Sequence, residues 1–173
     1  MPITRDELLA RLAGLGIVTT TVEHPPLFTV EQSRRLRGTI PGAHTKNLFL
    51  KCRKDRLWLV VALEDSTIDL KGLHRLIGAS GRLSFAGADL LQAALGVAPG
   101  AVTPFGLVND VERRVTAVLD RALMAHERIN CHPLDNTATT TIARDDLLAF
   151  LRACGHEPRV LPLSADIGHA GGA

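Results

Sequence analysis

The chain has no tyrosine, one tryptophan and only three cysteines in 173 residues. Cys52, Cys131 and Cys154 are odd in number and form no CxxC pair, which argues against a disulfide framework and suits a reducing compartment. No apolar run is long enough to span a bilayer. The opening MPITRDELLARL is charged where a secretory signal would be apolar, so a soluble, cytoplasmic protein with no membrane partner is expected. Aromatic residues at 3% and a formal net charge of +2 leave little for broad nucleic-acid binding by stacking or by field. Also missing are a P-loop, a GxGxxG turn, HExxH and GxSxG, and with them the nucleotide, metalloprotease and serine-hydrolase chemistry they carry.

What is present is a globular composition, 46% hydrophobic and 22% charged, without repeats or low-complexity tracts. One domain over residues 1–163 is expected, with 164–173 as a flexible tail. Thr4-x-x-Glu7 is a capping box ahead of Leu8, Leu9, Leu12 and Leu15, a helix stopped by Gly14 and Gly16. The β-branched IVTTTVE reads as a strand ended by His24-Pro25-Pro26. A helix starting at Thr29-x-x-Gln32 and closing at Gly38 follows. Asn47–Cys52 and Leu57–Leu63, joined by the charged turn RKDR, form an antiparallel hairpin. Asp69 caps a short helix through Ile77, and Ser84 or Gly87 opens another to Leu95.

The segment GVAPGAVTPFGLVND reads as mostly loop, the longest irregular stretch and therefore a functional candidate. Val115–Leu119 and Thr137–Ile142 are strand candidates flanking HERINCHPLDN. Asp145–Ala153 is an amphipathic helix capped by Gly155, and Arg159–Leu161 a last strand. Strands and helices interleave without a regular βαβ beat. The fold class is α/β, with a mixed sheet and peripheral helices.

Seven histidines invite a metal, but no two have the i, i+4 spacing of a helical pair, so neither metal nor cofactor is expected. Cys131 and His132 are adjacent, and an extended backbone would turn them to opposite faces, which works against a Cys-His nucleophile pair. The basic groups Arg34, Arg35, Arg37 and Lys51, Arg53, Lys54, Arg56 read either as solvated faces or as contacts to a phosphate backbone. Three polar features remain: Lys46-Asn47 at a strand mouth, the loop Gly100-Ala-Val-Thr-Pro104-Phe-Gly106, and His132-Pro133-Leu134-Asp135-Asn136. Each alone has an ordinary explanation as a strand-end charge, a connection or a turn.

In this order, HTKNLFLKC at 44–52, PGAVTPFGL at 99–107 and NCHPLDNTATTTI at 130–142 resemble the prolyl-tRNA editing domains of the YbaK type. Support comes from HPPLFTVEQ at 24–32 and DLKGLHRLIGASGRLSFA at 69–86, and the branch most similar is that of the freestanding alanyl-tRNA(Pro) deacylases. The resemblance implies a YbaK-like single domain that hydrolyses the ester of Ala mischarged on tRNA(Pro). Its partners would be the tRNA(Pro) acceptor end and prolyl-tRNA synthetase. Cys-tRNA(Pro) deacylation, or a non-catalytic tRNA-binding regulator on the same fold, stay as alternatives.

By position, the resemblance makes Lys46 the group that holds a terminal phosphate and Asn47 one that orients substrate or water. Strand alternation sets those two on opposite faces unless the backbone bends. Gly100 and Pro104 match the family's GxxxP loop, whose backbone N–H groups would face a developing oxyanion, with Thr103 adding a hydroxyl. His132 would sit beside the aminoacyl group, positioning substrate or water, or acting as a base. Leu27, Phe28 and Phe105 are either walls of a small pocket or simply core.

Overall fold

The computed structural model describes residues 1–26 and 30–164. The expected helix start at Thr29, the wall candidates Leu27 and Phe28, and the tail beyond Ser164 lie outside them. The first helix, α1 (Arg5–Gly14), opens on a reciprocal box in which Glu7 N donates to Thr4 Oγ1 and Thr4 N to Glu7 Oε1. Its Leu8 and Leu12 are wholly buried.

Eight strands follow in one mixed sheet: β1 (Thr19–Glu23), β2 (Ala43–Lys51), β3 (Leu57–Leu63), β4 (Ser84–Phe85), β5 (Val115–Asp120), β6 (Arg128–Cys131), β7 (Ala138–Ala143) and β8 (Arg159–Leu161). Their order is β1-β7-β6-β2-β3-β5-β8, with β4 beside β2. The helices are α2 (Val30–Thr39), α3 (Leu73–Ile77), α4 (Ala88–Leu95) and α5 (Arg144–Ala153). The α/β class with a mixed sheet is therefore the observed one.

Strand β3, LWLVVAL, is buried on both faces and pairs antiparallel with β2 and parallel with β5, as its continuous apolar run requires. One face carries Phe49, Leu59, Val61, Ala117 and Leu119 against α1, α4 and α5. The other carries Leu48, Leu50, Trp58, Val60 and Val118 against Leu73 and Ile77 of α3.

Strand β2 matters most for the site. One edge pairs with β3 throughout, whereas the other receives β6 in parallel at Ala43–His44 and β4 antiparallel at Leu50–Lys51. Between those contacts that edge has no strand partner among the described residues.

Several expectations are corrected. Asp69 accepts from Lys71 N and shapes a turn, while α3 begins four residues later behind Gly72. Gly38 does not end α2, which runs to Thr39. Of the two openings expected for the helix to Leu95, Gly87 is the observed N-cap of α4, while Ser84-Phe85 is a strand. Gly155 closes α5 from one position further on, with φ 89° after the C-cap Cys154. Residues 128–131, left between two strand candidates, are a paired strand. The 96–110 stretch is not an open loop: Pro104–Asn109 forms a buried 3₁₀ helix.

Candidate active site

The register of β2 on β3 runs unbroken from Thr45↔Leu63 to Lys51↔Leu57, so no bulge re-aims Lys46 or Asn47. They point to opposite faces. Lys46 shares its face with Leu48 and Leu50, while Asn47 shares the Phe49 face that looks into the main core. Because His44 lies level with Asn130 in the parallel β2–β6 pair, the Lys46 face is continuous with the face of β6 that carries Asn130.

Where β2 meets β6, under α2, lies a cavity of about 70 Å³. A single water needs about 10–15 Å³ of such space, so this cavity holds a few waters or a small side chain. It is lined by Leu36 of α2, His44 and Thr45 of β2, Glu64 after β3, Asn130 and Cys131 of β6, His132 just after β6, and Thr139 of β7. The floor is hydrogen-bonded. Asn130 Nδ2 donates to Pro41 O at 3.0 Å and Ala43 O at 3.3 Å, and its Oδ1 accepts from Thr141 Oγ1. His44 Nε2 donates to Ile40 O at 3.0 Å, and Thr45 Oγ1 to Asn130 O at 2.9 Å.

His132 is the chemically distinctive group. Its Nδ1 donates to Ala138 O at 3.0 Å, which selects the tautomer and leaves Nε2 with the lone pair. Burial pushes its pKa below the ordinary histidine value, outweighing the Ala138 hydrogen bond, and nearby His24 adds to the lowering. The His24 and His132 rings are 6.5 Å apart, with His24 Nε2 accepting from Thr139 Oγ1 at 2.9 Å. At neutral pH His132 is an uncharged acceptor. Cys131 beside it is the opposite: burial pushes its thiol up to about 12, so it holds no thiolate for nucleophilic attack.

The other expected residues are dispersed. The Lys46 ammonium donates to Ser66 O in the turn after β3. Among the described residues Asn47 reaches the cavity through Thr45, whose Oγ1 it approaches with Nδ2 at 3.4 Å, and its buried Oδ1 meets no hydrogen-bond partner. Gly100 is exposed, has φ 92°, and lies next to Asn136 rather than on the cavity wall.

Thr103, Pro104 and Phe105 do not line the cavity. Pro104 occupies the first turn of the 3₁₀ helix, and the wholly buried Thr103 hydroxyl accepts from Phe105 N as its cap. That start turns Phe105 inward, edge-on to Phe150 with ring centres 5.7 Å apart. Phe105 is core, not wall. The cavity residues that sequence reasoning missed are Leu36, His44, Thr45, Glu64, Asn130 and Thr139. A signal existed for two of them: His44 opens the HTKN motif and Glu64 directly follows the strongest strand. Among the described residues, no three His, Cys, Asp or Glu side chains converge as a metal set, and no helix is long and apolar enough to cross a membrane.

The model of the aminoacyl-tRNA editing domain family matches residues 24–150. The chain is 45% identical over 159 residues to prolyl-tRNA synthetase associated domain-containing protein 1 of Danio rerio, covering 91% of this chain and 86% of that protein. It is 38% identical over 160 residues to the prolyl-tRNA editing protein ProX of Acetoanaerobium sticklandii, covering 92% and 97%. A solved candidate trans-editing enzyme for prolyl tRNA synthetase shares the fold with a TM-score of 0.66 at 19% identity, over 93% of this chain and 98% of that one.

Proposed function

The chain belongs to the aminoacyl-tRNA editing domain family, and from that premise we propose that it hydrolyses the ester of alanine mischarged on tRNA(Pro). The observation that carries the chemistry is the His132 tautomer at a cavity of about 70 Å³, with Nδ1–H tied to Ala138 O and Nε2 free of its proton.

An aminoacyl ester is already activated, so the protein needs no covalent nucleophile. It must seat the 3′ end, place a water and stabilise the charge on the carbonyl oxygen. In this reading the amino-acid side chain enters the cavity and Nε2 of His132 accepts a hydrogen bond from the attacking water. Water oxygen bonds to the ester carbon as its proton passes to Nε2, or is relayed through the terminal 2′-hydroxyl, which gives its own proton to the leaving ribose oxygen. The intermediate then expels the ribose oxygen, which takes a proton back.

Lys46 contributes a charge to a phosphate of the terminal nucleotide. An ammonium has three donors, and Ser66 O uses one. Backbone N–H groups of the Gly100 loop, with Asn136 Nδ2 close by, are the oxyanion donors. Asn47 acts through Thr45 as a positioning residue. A methyl-sized difference is worth only about 1–3 kcal/mol by contact, so rejection of proline rests on a cavity too tight for its ring. The setting is cytoplasmic, at the acceptor end of tRNA(Pro) and alongside prolyl-tRNA synthetase.

The test is a deacylation panel of Ala-, Cys- and Pro-tRNA(Pro) with wild type, Lys46→Ala and His132→Ala, each variant checked for native circular dichroism. Both variants are expected to lose at least tenfold on Ala-tRNA(Pro). Full activity in both removes the site assignment, a preference for Cys-tRNA(Pro) moves the substrate, and binding without hydrolysis identifies a regulator.

A further inference from the structure

Among the described residues the cavity is lined by one carboxylate, and neither the family resemblance nor the tautomer of His132 uses it. Glu64 directly follows β3, is half-buried and lines the cavity. The turn that carries it is held at three points. Glu64 N donates to His44 O at 2.9 Å, Ser66 N donates to Leu63 O at 3.0 Å, and the Lys46 ammonium donates to Ser66 O. Two of these ties come from β2, the strand that also lines the cavity. These ties fix the backbone of the turn at Glu64, so the residue's place on the cavity wall is set before a ligand arrives.

Its placement also has a chemical consequence. The ester proposed to bind here carries an α-ammonium one bond from its carbonyl-bearing centre, and a small cavity that takes the side chain brings that ammonium to the wall as well. The other lining groups offer no second charge of the right sign. His44 Nε2 donates to Ile40 O, the Cys131 thiol is held protonated, and Leu36, Thr45, Asn130 and Thr139 are neutral. Glu64 is near enough to His132 for its charge to act on that ring.

We propose that Glu64 is the residue that recognises the α-ammonium of the aminoacyl ester, through a charge-assisted hydrogen bond that places the scissile carbonyl opposite Nε2 of His132. This rests on the ester-hydrolase reading above. It makes the site selective for a free amino acid ester over an ester of the same shape without the amine.

The experiment compares alanyl-tRNA(Pro) with lactyl-tRNA(Pro), in which a hydroxyl replaces the ammonium and the methyl is kept, each rate taken relative to its own uncatalysed hydrolysis. Wild type should prefer the alanyl ester by about tenfold or more in kcat/KM, the worth of one charge-assisted hydrogen bond. Glu64→Gln should lower the alanyl rate about tenfold more than the lactyl rate, so that the preference collapses.

A second readout needs no variant. The wild-type preference should fall as pH rises through the amine's own pKa, about 7.7–8.0 for an α-amino group. Glu64, His44, Cys131 and His132 face the cavity, and His24 stands beside His132, so the lactyl ester serves as the control for their titration. Equal wild-type efficiency on both esters, an equal loss on both in Glu64→Gln, or a preference independent of pH overturns the inference. If wild type hydrolyses neither ester, the functional reading itself fails and takes this inference with it.

Discussion

Arg5 holds Asp135 with two donors across 130 residues of chain, Nε to Oδ2 at 2.9 Å and an Nη to Oδ1 at 3.2 Å. The same guanidinium donates to Thr137 Oγ1 at 2.8 Å, and Asp135 Oδ1 also accepts from Thr137 N at 2.9 Å. The first residue of α1 thus clamps the turn that follows His132. That turn includes Leu134 at φ 74°, a left-handed conformation that costs a side-chain-bearing residue about 1–2 kcal/mol.

Arg5→Ala is expected to lower kcat for Ala-tRNA(Pro) about tenfold by loosening His132, given the sensitivity of catalysis to small misplacements. Its cost in stability should stay below about 1 kcal/mol, because Asp135 is 39% exposed and water screens the pair. Arg5→Lys should restore the charge without the two-pronged grip, and so recover only part of the rate. Single-turnover kinetics beside urea titration separate the two effects.

His132 predicts a pH signature. Burial lowers its folded-state pKa below 6.5, so above 6.5 the ring is neutral in both folded and unfolded chains and its contribution to stability is complete. As pH falls below 6.5 the unfolded chain takes the proton first, and stability drops until the folded-state value is passed. The kcat/KM profile should rise through a midpoint below 6.5 and level, before the amine of the alanyl ester loses its proton at about 7.7–8.0. In His132→Ala that limb should vanish from both the rate profile and the urea-derived stability.

Gly100→Ala tests the loop. An added Cβ would meet only Asn136 Nδ2, at 3.6 Å, an ordinary contact, so the demand for glycine is the backbone φ of 92° and not crowding. The substitution should cost about 1–2 kcal/mol in stability if the conformation persists. Relief of the strain by rotation would move the N–H, and deacylation should then fall about tenfold or more, the scale of losing one oxyanion donor. An unchanged rate with an unchanged fold would remove this loop from the oxyanion site.

Away from the cavity, buried His156 donates from Nε2 to Asp110 Oδ2 at 2.9 Å, tying the end of α5 to the start of β5. Burial alone would raise the Asp110 pKa, but the His156 hydrogen bond and the N–H groups of Val115 and Arg114 outweigh it and hold it below 3.8. The stability this confers is present above 3.8 and is lost as pH falls through the lower folded-state value. His156→Ala should cost about 2–3 kcal/mol at neutral pH, since it strips a donor from a buried carboxylate. Asp110→Asn should flatten the acid limb of the stability curve, measured by urea unfolding.

The capping box at Thr4, the β2–β3 hairpin and the apolar run of β3 carry their periodicities in contiguous residues, and all three formed as read. Strand β6 did not announce itself. RINC is four residues long with an exposed arginine, and it becomes a strand because β2 and β7 flank it. The Thr103–Phe105 segment was misread for the opposite reason. Glycines and prolines on either side signalled a loop, but the cap and the core took Thr103 and Phe105 inward.

Alternation along a strand set the expectation that Lys46 and Asn47 face opposite ways, and the unbroken β2–β3 register decides it by leaving no bulge to re-aim either one. Where the cavity lies was not settled by that alternation. That depended on where β6 joins the edge of β2, where α2 lies over the join, and where the turn after β3 carries Glu64. These are contacts between segments far apart in the chain, and no period within a single segment encodes them.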